Sequence, residues 1–188
     1  MSISKILFSL VGVAAMLTSC GRDRSYSIEG ALYGGKNFED QMIYLVPFSG
    51  ATTENIDSAV VHNSRFKFTG TVEHEGVYII RMRPMMRLFI NELIVIKEPG
   101  RIRTRLSSTS SAKGTPLNDS LQAWREYKQM IDDQMVDIRK QMKKATGEEL
   151  ARLKAQSDSL KSMFDRRNKQ SITLNNNAFG EFLDKYVR

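Results

Sequence analysis

The sequence predicts an α+β protein: an antiparallel β-sandwich or barrel of seven to eight short strands, then a long α-helical hairpin and a short C-terminal helix. Two patterns lead there. Between Tyr26 and Leu106, short alternating or β-branched runs recur between turn-forming residues. From Leu117 onward, apolar residues recur every three or four positions. Composition agrees, since 188 residues with 41% hydrophobic and 26% charged side chains suit one folded domain with an appendage and not a disordered chain.

The N-terminus comes first. Lys5 supplies a short positive region, and Ile6 to Leu17 is almost wholly apolar, with small residues at Gly12, Ala14 and Ala15. A run of about twelve residues is too short to span a bilayer core of roughly 30 Å, but it has the dimensions of a secretory signal. Leu17-Thr18-Ser19-Cys20 follows. This stretch resembles the lipobox of bacterial lipoproteins, an aliphatic residue and two small ones before a cysteine. The resemblance implies cleavage ahead of Cys20 and acylation of its sulfur, and often of its new amine. Two or three acyl chains anchor stably where one does not, at about 0.8 kcal/mol per buried methylene. The resulting expectations are a signal peptide over 1–19 and a polar tether over 20–25. Gly21 in second place is not the aspartate of an inner-membrane retention signal. The tether also lacks an acidic run of the sort seen in surface-exported lipoproteins. The implied address is the cell envelope, as an outer-membrane lipoprotein facing the periplasm.

The sandwich is expected over 26–113. Tyr26 to Leu32 alternates, and Met42 to Val46 is a β-rich run closed by Pro47. Ile56 to Val61 is a further candidate, and Arg65 to Thr71 places Phe66 and Phe68 on one face. Val77 to Met82, Leu88-Phe89-Ile90, Leu93 to Lys97 and Arg101 to Leu106 complete the set. Gly34-Gly35, Ser49-Gly50, His62-Asn63-Ser64 and Glu98-Pro99-Gly100 read as turns. Phe66, Phe68, Tyr44, Ile80 and Ile102 are the expected core. Period-two spacing puts Arg81 and Arg83 on one side of a strand, and Arg101, Arg103 and Arg105 on one side of another. If those strands are neighbours, the five arginines share a plane. Such a plane either binds anions (lipid phosphates, lipopolysaccharide, acidic glycans) or is a solvated sheet face that discourages edge pairing. No aromatics interleave with these arginines, so no nucleic-acid partner is expected.

Helices fill the last third. Ser107 to Lys113 reads as a polar loop, and Asn118 or Asp119 is placed to cap a helix. Leu117, Leu121, Trp124, Tyr127, Ile131, Met135, Ile138, Met142 and Ala145 form a stripe, predicting a helix about 40 Å long. Thr146 and Glu149 have the spacing of a capping box. A second stripe through Leu150, Leu153, Leu160, Phe164 and Leu174 is weakened by Ser157, Arg167 and Ser171. The hairpin (114–174) is either a partner-binding coiled coil or spacer, or an amphipathic pair packed on the sandwich or on itself. Asn175-Asn176-Asn177 breaks it and caps a third helix within 175–188, with an apolar stripe at Phe179, Phe182, Leu183 and Tyr186. An exposed stripe of that kind would pack on something else.

The lipobox, the Phe66-x-Phe68-x-Gly70 strand and the Gly114-Thr115-Pro116-Leu117-Asn118-Asp119 junction together resemble a family of Gram-negative lipoproteins. In that family an N-terminal β-sandwich domain of unknown function precedes a thioredoxin-like domain in thiol:disulfide interchange proteins. The resemblance implies either a stand-alone accessory domain or a truncated product. Redox activity does not carry over, because one cysteine makes no dithiol pair.

Other constellations point away from catalysis. Glu73-His74-Glu75 on a turn point in differing directions, and His62 has no set spacing from them, so no metal site is expected. Met82, Met85 and Met86 read as packing material. Gly34-Gly35 lacks a phosphate-loop pattern, and there is no nucleophile elbow or HExxH. The expected function is a non-enzymatic interaction or ligand-binding module without a cofactor, held at a membrane by its lipid, with an envelope protein as a candidate partner.

Overall fold

The computed structural model describes residues 24–34, 38–50, 56–82 and 92–187. Leu17, Thr18, Ser19, Cys20, Gly35, Arg83, Met85, Met86 and the candidate strand Leu88-Phe89-Ile90 lie outside the described residues.

Alternation builds the first layer. In β1 (Ser25–Leu32), Tyr26, Ile28, Gly30 and Leu32 are buried and the residues between them face out. β4 (Arg65–Thr71) pairs antiparallel with β1, β7 (Gly100–Leu106) pairs parallel with its other side, and β8 (Ser111–Lys113) pairs antiparallel with β7. The order of this sheet is β4-β1-β7-β8. The second sheet has the order β3-β2-β5-β6, all antiparallel, from β2 (Met42–Pro47), β3 (Asp57–Val60), β5 (Gly76–Met82) and β6 (Leu93–Lys97). The sheets are not closed into a barrel, so the α+β sandwich is the architecture. The parallel β1–β7 pair departs from an all-antiparallel expectation. The β8 strand replaces part of the expected loop, because β7 offers it a free edge.

The inter-sheet core gathers Ile28, Phe66, Phe68, Ile43, Leu45, Ile80, Leu93, Val95, Ile102 and Leu106. Of the expected core only Tyr44 falls outside it. Ile43 and Leu45 take the inward positions of β2, which turns Tyr44 to the outer face opposite Arg81. Gly30 is required by this core, since a Cβ there would come within 2.0 Å of the Phe66 ring.

Helices form a third layer and close one side. α1 (Pro116–Met142) and α2 (Gly147–Leu174) make the hairpin, and α3 (Ala178–Tyr186) folds back at its base. A second cluster joins Ile94 and Ile96 of β6 and Val77 of β5 to Leu117, Leu121 and Trp124 of α1 and to Phe179, Phe182 and Leu183 of α3. Phe179, Phe182 and Leu183 of the α3 stripe are therefore covered by this protein's own sandwich and hairpin, which corrects the expectation of an exposed stripe, while Tyr186 remains exposed. Asn177 caps α3 as expected, its side chain accepting from the N–H groups of Phe179 and Gly180. Gly180 lets α3 approach the break before it, where a Cβ would lie 1.8 Å from the Asn175 carbonyl oxygen.

The start of α1 differs from the expectation. Thr115 occupies the cap position and Pro116 the first turn, because a fixed φ and a missing N–H suit proline there. Asn118 is instead fully buried and docks α1 on the edge of β6. Its amide oxygen accepts from Ile96 N at 3.0 Å and its Nδ2 donates to Ile96 O at 2.7 Å. Two turns on, Arg125 Nη2 donates to Ile94 O at 2.8 Å, and burial lowers the pKa of that guanidinium. Gln122 Oε1 accepts from Ala112 N of β8 at 3.2 Å. One helix thus satisfies with side chains one edge of each sheet, β6 and β8, a way of blunting edge strands. At α2, Thr146 holds the cap position but makes no side-chain cap hydrogen bond, and the chain enters through Gly147 at φ +56°.

Farther out, Ile138 of α1 and Leu153 of α2 pack together with Ala145 of the link between the helices. Ser157 and Arg167 are accommodated at the seam: Ser157 Oγ donates to Met135 Sδ at 3.6 Å, and the Arg167 guanidinium lies 4.0 Å over the Tyr127 ring. Asn168, which the apolar stripe passes over, is buried and accepts from Trp124 Nε1 at 2.9 Å. Among the described residues, no helix is long and apolar enough to cross a membrane.

Candidate functional site

The outward face of the β4-β1-β7-β8 sheet is built by the same alternation that fills the core. Opposite Phe66 and Phe68 stand Arg65 and Lys67, and opposite Ile102, Thr104 and Leu106 stand Arg101, Arg103 and Arg105. Register aligns them in rows across the sheet. Arg65, Ala31, Arg105 and Ser111 form one row; Lys67, Glu29, Arg103 and Lys113 the next; Thr69, Ser27 and Arg101 the third. Six cations (Arg65, Lys67, Arg101, Arg103, Arg105, Lys113) face one carboxylate, Glu29, so the face carries 6 − 1 = +5. All six are exposed.

Glu29 is committed within the face. It accepts from Arg101 Nε at 2.9 Å and pairs with Lys67 Nζ at 3.1 Å. The hydrogen bond from Arg101, then that from Lys67, holds its carboxyl below the usual glutamate range. Arg105 stacks 4.3 Å from the Tyr33 ring centroid, and Lys113 pairs with Glu126 of α1 at 3.1 Å. No carboxylate among the described residues lies within ion-pair distance of Arg65 or Arg103. Two open depressions mark the face. One of about 610 Å³, bounded by Ser27, Thr69, Gly100 and Arg101, lies where β1 begins. The other, about 370 Å³, lies between Glu29, Arg65 and Lys67.

The five arginines singled out from sequence do not form one plane. Arg81 belongs to β5 in the other sheet, on its outer face, 3.7 Å from Glu92. Arg83 lies outside the described residues. The physical reason is the chain's topology: β5 and β7 are both central strands, but of opposite sheets. Sequence reasoning passed over Arg65, Lys67 and Lys113. The alternation that put Phe66 and Phe68 inward already placed Arg65 and Lys67 outward. What it could not supply was that β4 lies one strand away from β7.

Elsewhere, Glu39, Asp40 and His62 come together on the surface, with His62 Nδ1 at 3.1 Å from Glu39 and 3.6 Å from Asp40. Glu39 also accepts from Asn63 N at 2.7 Å, and the His62 contact, then the Asn63 N–H, lowers its pKa. These contacts brace the β3–β4 turn, where Asn63 and Ser64 have positive φ. Glu73, His74 and Glu75 are exposed between β4 and β5, and Met82 packs against the inter-sheet core.

The fold and this face define a class: a two-sheet sandwich whose open side is sealed by the first helix of a C-terminal hairpin, with one strongly cationic sheet surface. Residues 26–121 match the model of a family described as a domain of unknown function, DUF4369, and the chain belongs to that family. The matched stretch runs from β1 into α1 and so includes the cationic face, Glu98 and Asn118. Neither a curated protein nor a solved structure matches the chain.

Proposed function

We propose that the chain is a lipid-anchored envelope protein of the outer membrane, facing the periplasm. In this reading it works without catalysis, as a module that holds a ligand or an envelope protein partner beside the bilayer. The observation that carries this reading is the position of the single cysteine. Cys20 follows Leu17-Thr18-Ser19 and lies five residues ahead of Ser25, where β1 begins. A signal segment, an acylated cysteine, a short tether and a folded sandwich then follow in functional order. The sandwich supplies a cationic face and the hairpin a rigid arm, either of which suits recognition without chemistry.

A second reading rests on the resemblance of the Phe66-x-Phe68-x-Gly70 strand and the Gly114 to Asp119 junction to thiol:disulfide interchange lipoproteins: the module is a non-redox accessory part, or a truncated form, of such a protein. A thioredoxin-like reading frame beside its gene would support it.

The test of the first reading is the anchor. Metabolic labelling with a fatty acid should mark the wild-type chain, which should stay in the membrane fraction through a high-salt wash. Cys20→Ala should take up no label and be released by that wash. A Cys20→Ala chain that resists the wash would refute the anchor.

A further inference from the structure

We infer that the cationic face of the β4-β1-β7-β8 sheet lies against the anionic headgroups of the bilayer to which the chain is tethered, so that the helical layer points away from the membrane. This rests on the anchored reading proposed above and adds the orientation of the domain and the lipid chemistry it recognises.

Three observations carry it. First, edge protection does not account for the whole face. Arg65, Lys67 and Lys113 lie on the edge strands β4 and β8, where charges guard against unwanted pairing, but Arg101, Arg103 and Arg105 lie on β7, which is flanked by β1 and β8. Arg103 stands directly opposite Lys113, an arrangement that costs stability. Second, the face is open while the other outer face is covered over part of its area. Among the described residues no element covers the six cations, whereas α3 and the root of α1 lie over β5 and β6. Third, the tether is short. Five residues from Cys20 to Ser25 reach at most about 17 Å, close to the roughly 14 Å width of a four-stranded sheet. An anchor at Cys20 would therefore hold the third row of the face, at the start of β1, within about two Debye lengths of the headgroups. Basic residues at that distance bind anionic leaflets in a salt-dependent way.

The test uses the chain from residue 20 with Cys20→Ser, which keeps every described residue and carries no acyl group. Failure here would leave the anchor intact, and failure of the labelling experiment would leave this result intact. Sedimentation is measured with vesicles of phosphatidylcholine alone and of phosphatidylcholine with phosphatidylglycerol. Binding is expected to the anionic vesicles only, and to be reversed by salt. The triple Arg65→Ser, Arg103→Ser, Arg105→Ser should lose at least about tenfold in affinity, while the Arg→Lys triple at the same positions should retain it. Lys140→Ser, Lys143→Ser, Lys144→Ser, an equal loss of charge near the hairpin tip, should change affinity less than about twofold. Glu29→Gln should tighten binding, a readout that survives even if the arginine triple folds poorly. Equal losses in the face and tip triples, equal binding to neutral vesicles, or no binding to anionic ones would overturn the proposal. So would displacement by millimolar inorganic phosphate, which would make this a site for small anions and not for a bilayer.

Discussion

Glu98 and Asn118 decide whether the helices stay attached to the sandwich. Glu98 lies in the turn between β6 and β7 and is 4% exposed. Its Oε1 accepts from the N–H groups of Leu117 and Asn118, both at 2.9 Å, and from Asn118 Nδ2 at 3.0 Å. A carboxylate from a distant strand turn thus does the work of an N-cap, at the helix end where negative charge is favoured. Thr115 itself makes no side-chain cap to the helix; its hydroxyl accepts from Asn118 Nδ2. Glu98→Ala should cost about 2–4 kcal/mol, because it strands buried donors, and Glu98→Gln, which keeps an acceptor, less than half of that. Asn118→Asp should be at least as damaging as Asn118→Ala, since a carboxylate cannot donate to the Ile96 carbonyl and would sit beside Glu98. Urea midpoints rank the four variants, and an Asn118→Asp chain as stable as wild type would remove the docking role. The alkaline limit belongs to Tyr26. Burial, then the nearby Asp57 and Tyr78, raises its pKa from 10.0 to about 12. The unfolded chain releases that proton first, so stability should fall as pH rises from about 10 toward 12. Melting curves at successive alkaline pH values should show a smaller drop for Tyr26→Phe than for wild type. Neither role was visible in sequence. Asn118 looked like a cap from its neighbours, and only the position of β6 beside it reveals its partner.

Periodicity alone was enough to locate α1, α2, α3 and most strands, because each element's buried face is written into its own residues. What covers those faces was not. The stripe of α3 looked exposed, since the surfaces that meet it, Phe48 and Val77, are more than a hundred residues earlier. Phe182 stands 5.5 Å from Phe48, 6.1 Å from Trp124 and 5.8 Å from Tyr186 between ring centroids. Phe182→Ala should therefore cost about 3–5 kcal/mol. It should also alter the emission of Trp124, the single tryptophan of the chain, which reports on the junction of α1, α2 and α3. A variant with unchanged emission and stability would mean that α3 does not pack there. β8 escaped sequence reading for the opposite reason. Three residues make too short a pattern, and this strand exists only because β7 supplies its partner.

At the scale of the whole molecule, core and cationic face should be separable. Ile102, Thr104 and Leu106 fill the inner side of β7 whatever stands between them. Arg101→Ser, Arg103→Ser, Arg105→Ser should therefore keep a single cooperative melt, with a change near the ~0.5 kcal/mol per site usual for surface substitutions. One pH effect should change with it. Glu29 has a depressed pKa, so its contribution is present above the ordinary glutamate value and lost as pH falls through its lower folded value. The hydrogen bond from Arg101 is the main cause of that depression. The triple variant should thus lose less stability than wild type on acidification, as thermal melts through the carboxylate range would show. If the triple variant instead lost its cooperative transition at neutral pH, the arginines would be part of what holds β7 between β1 and β8. A sheet that tolerates their removal gains little internally from placing Arg103 against Lys113, as the bilayer-facing orientation inferred above requires.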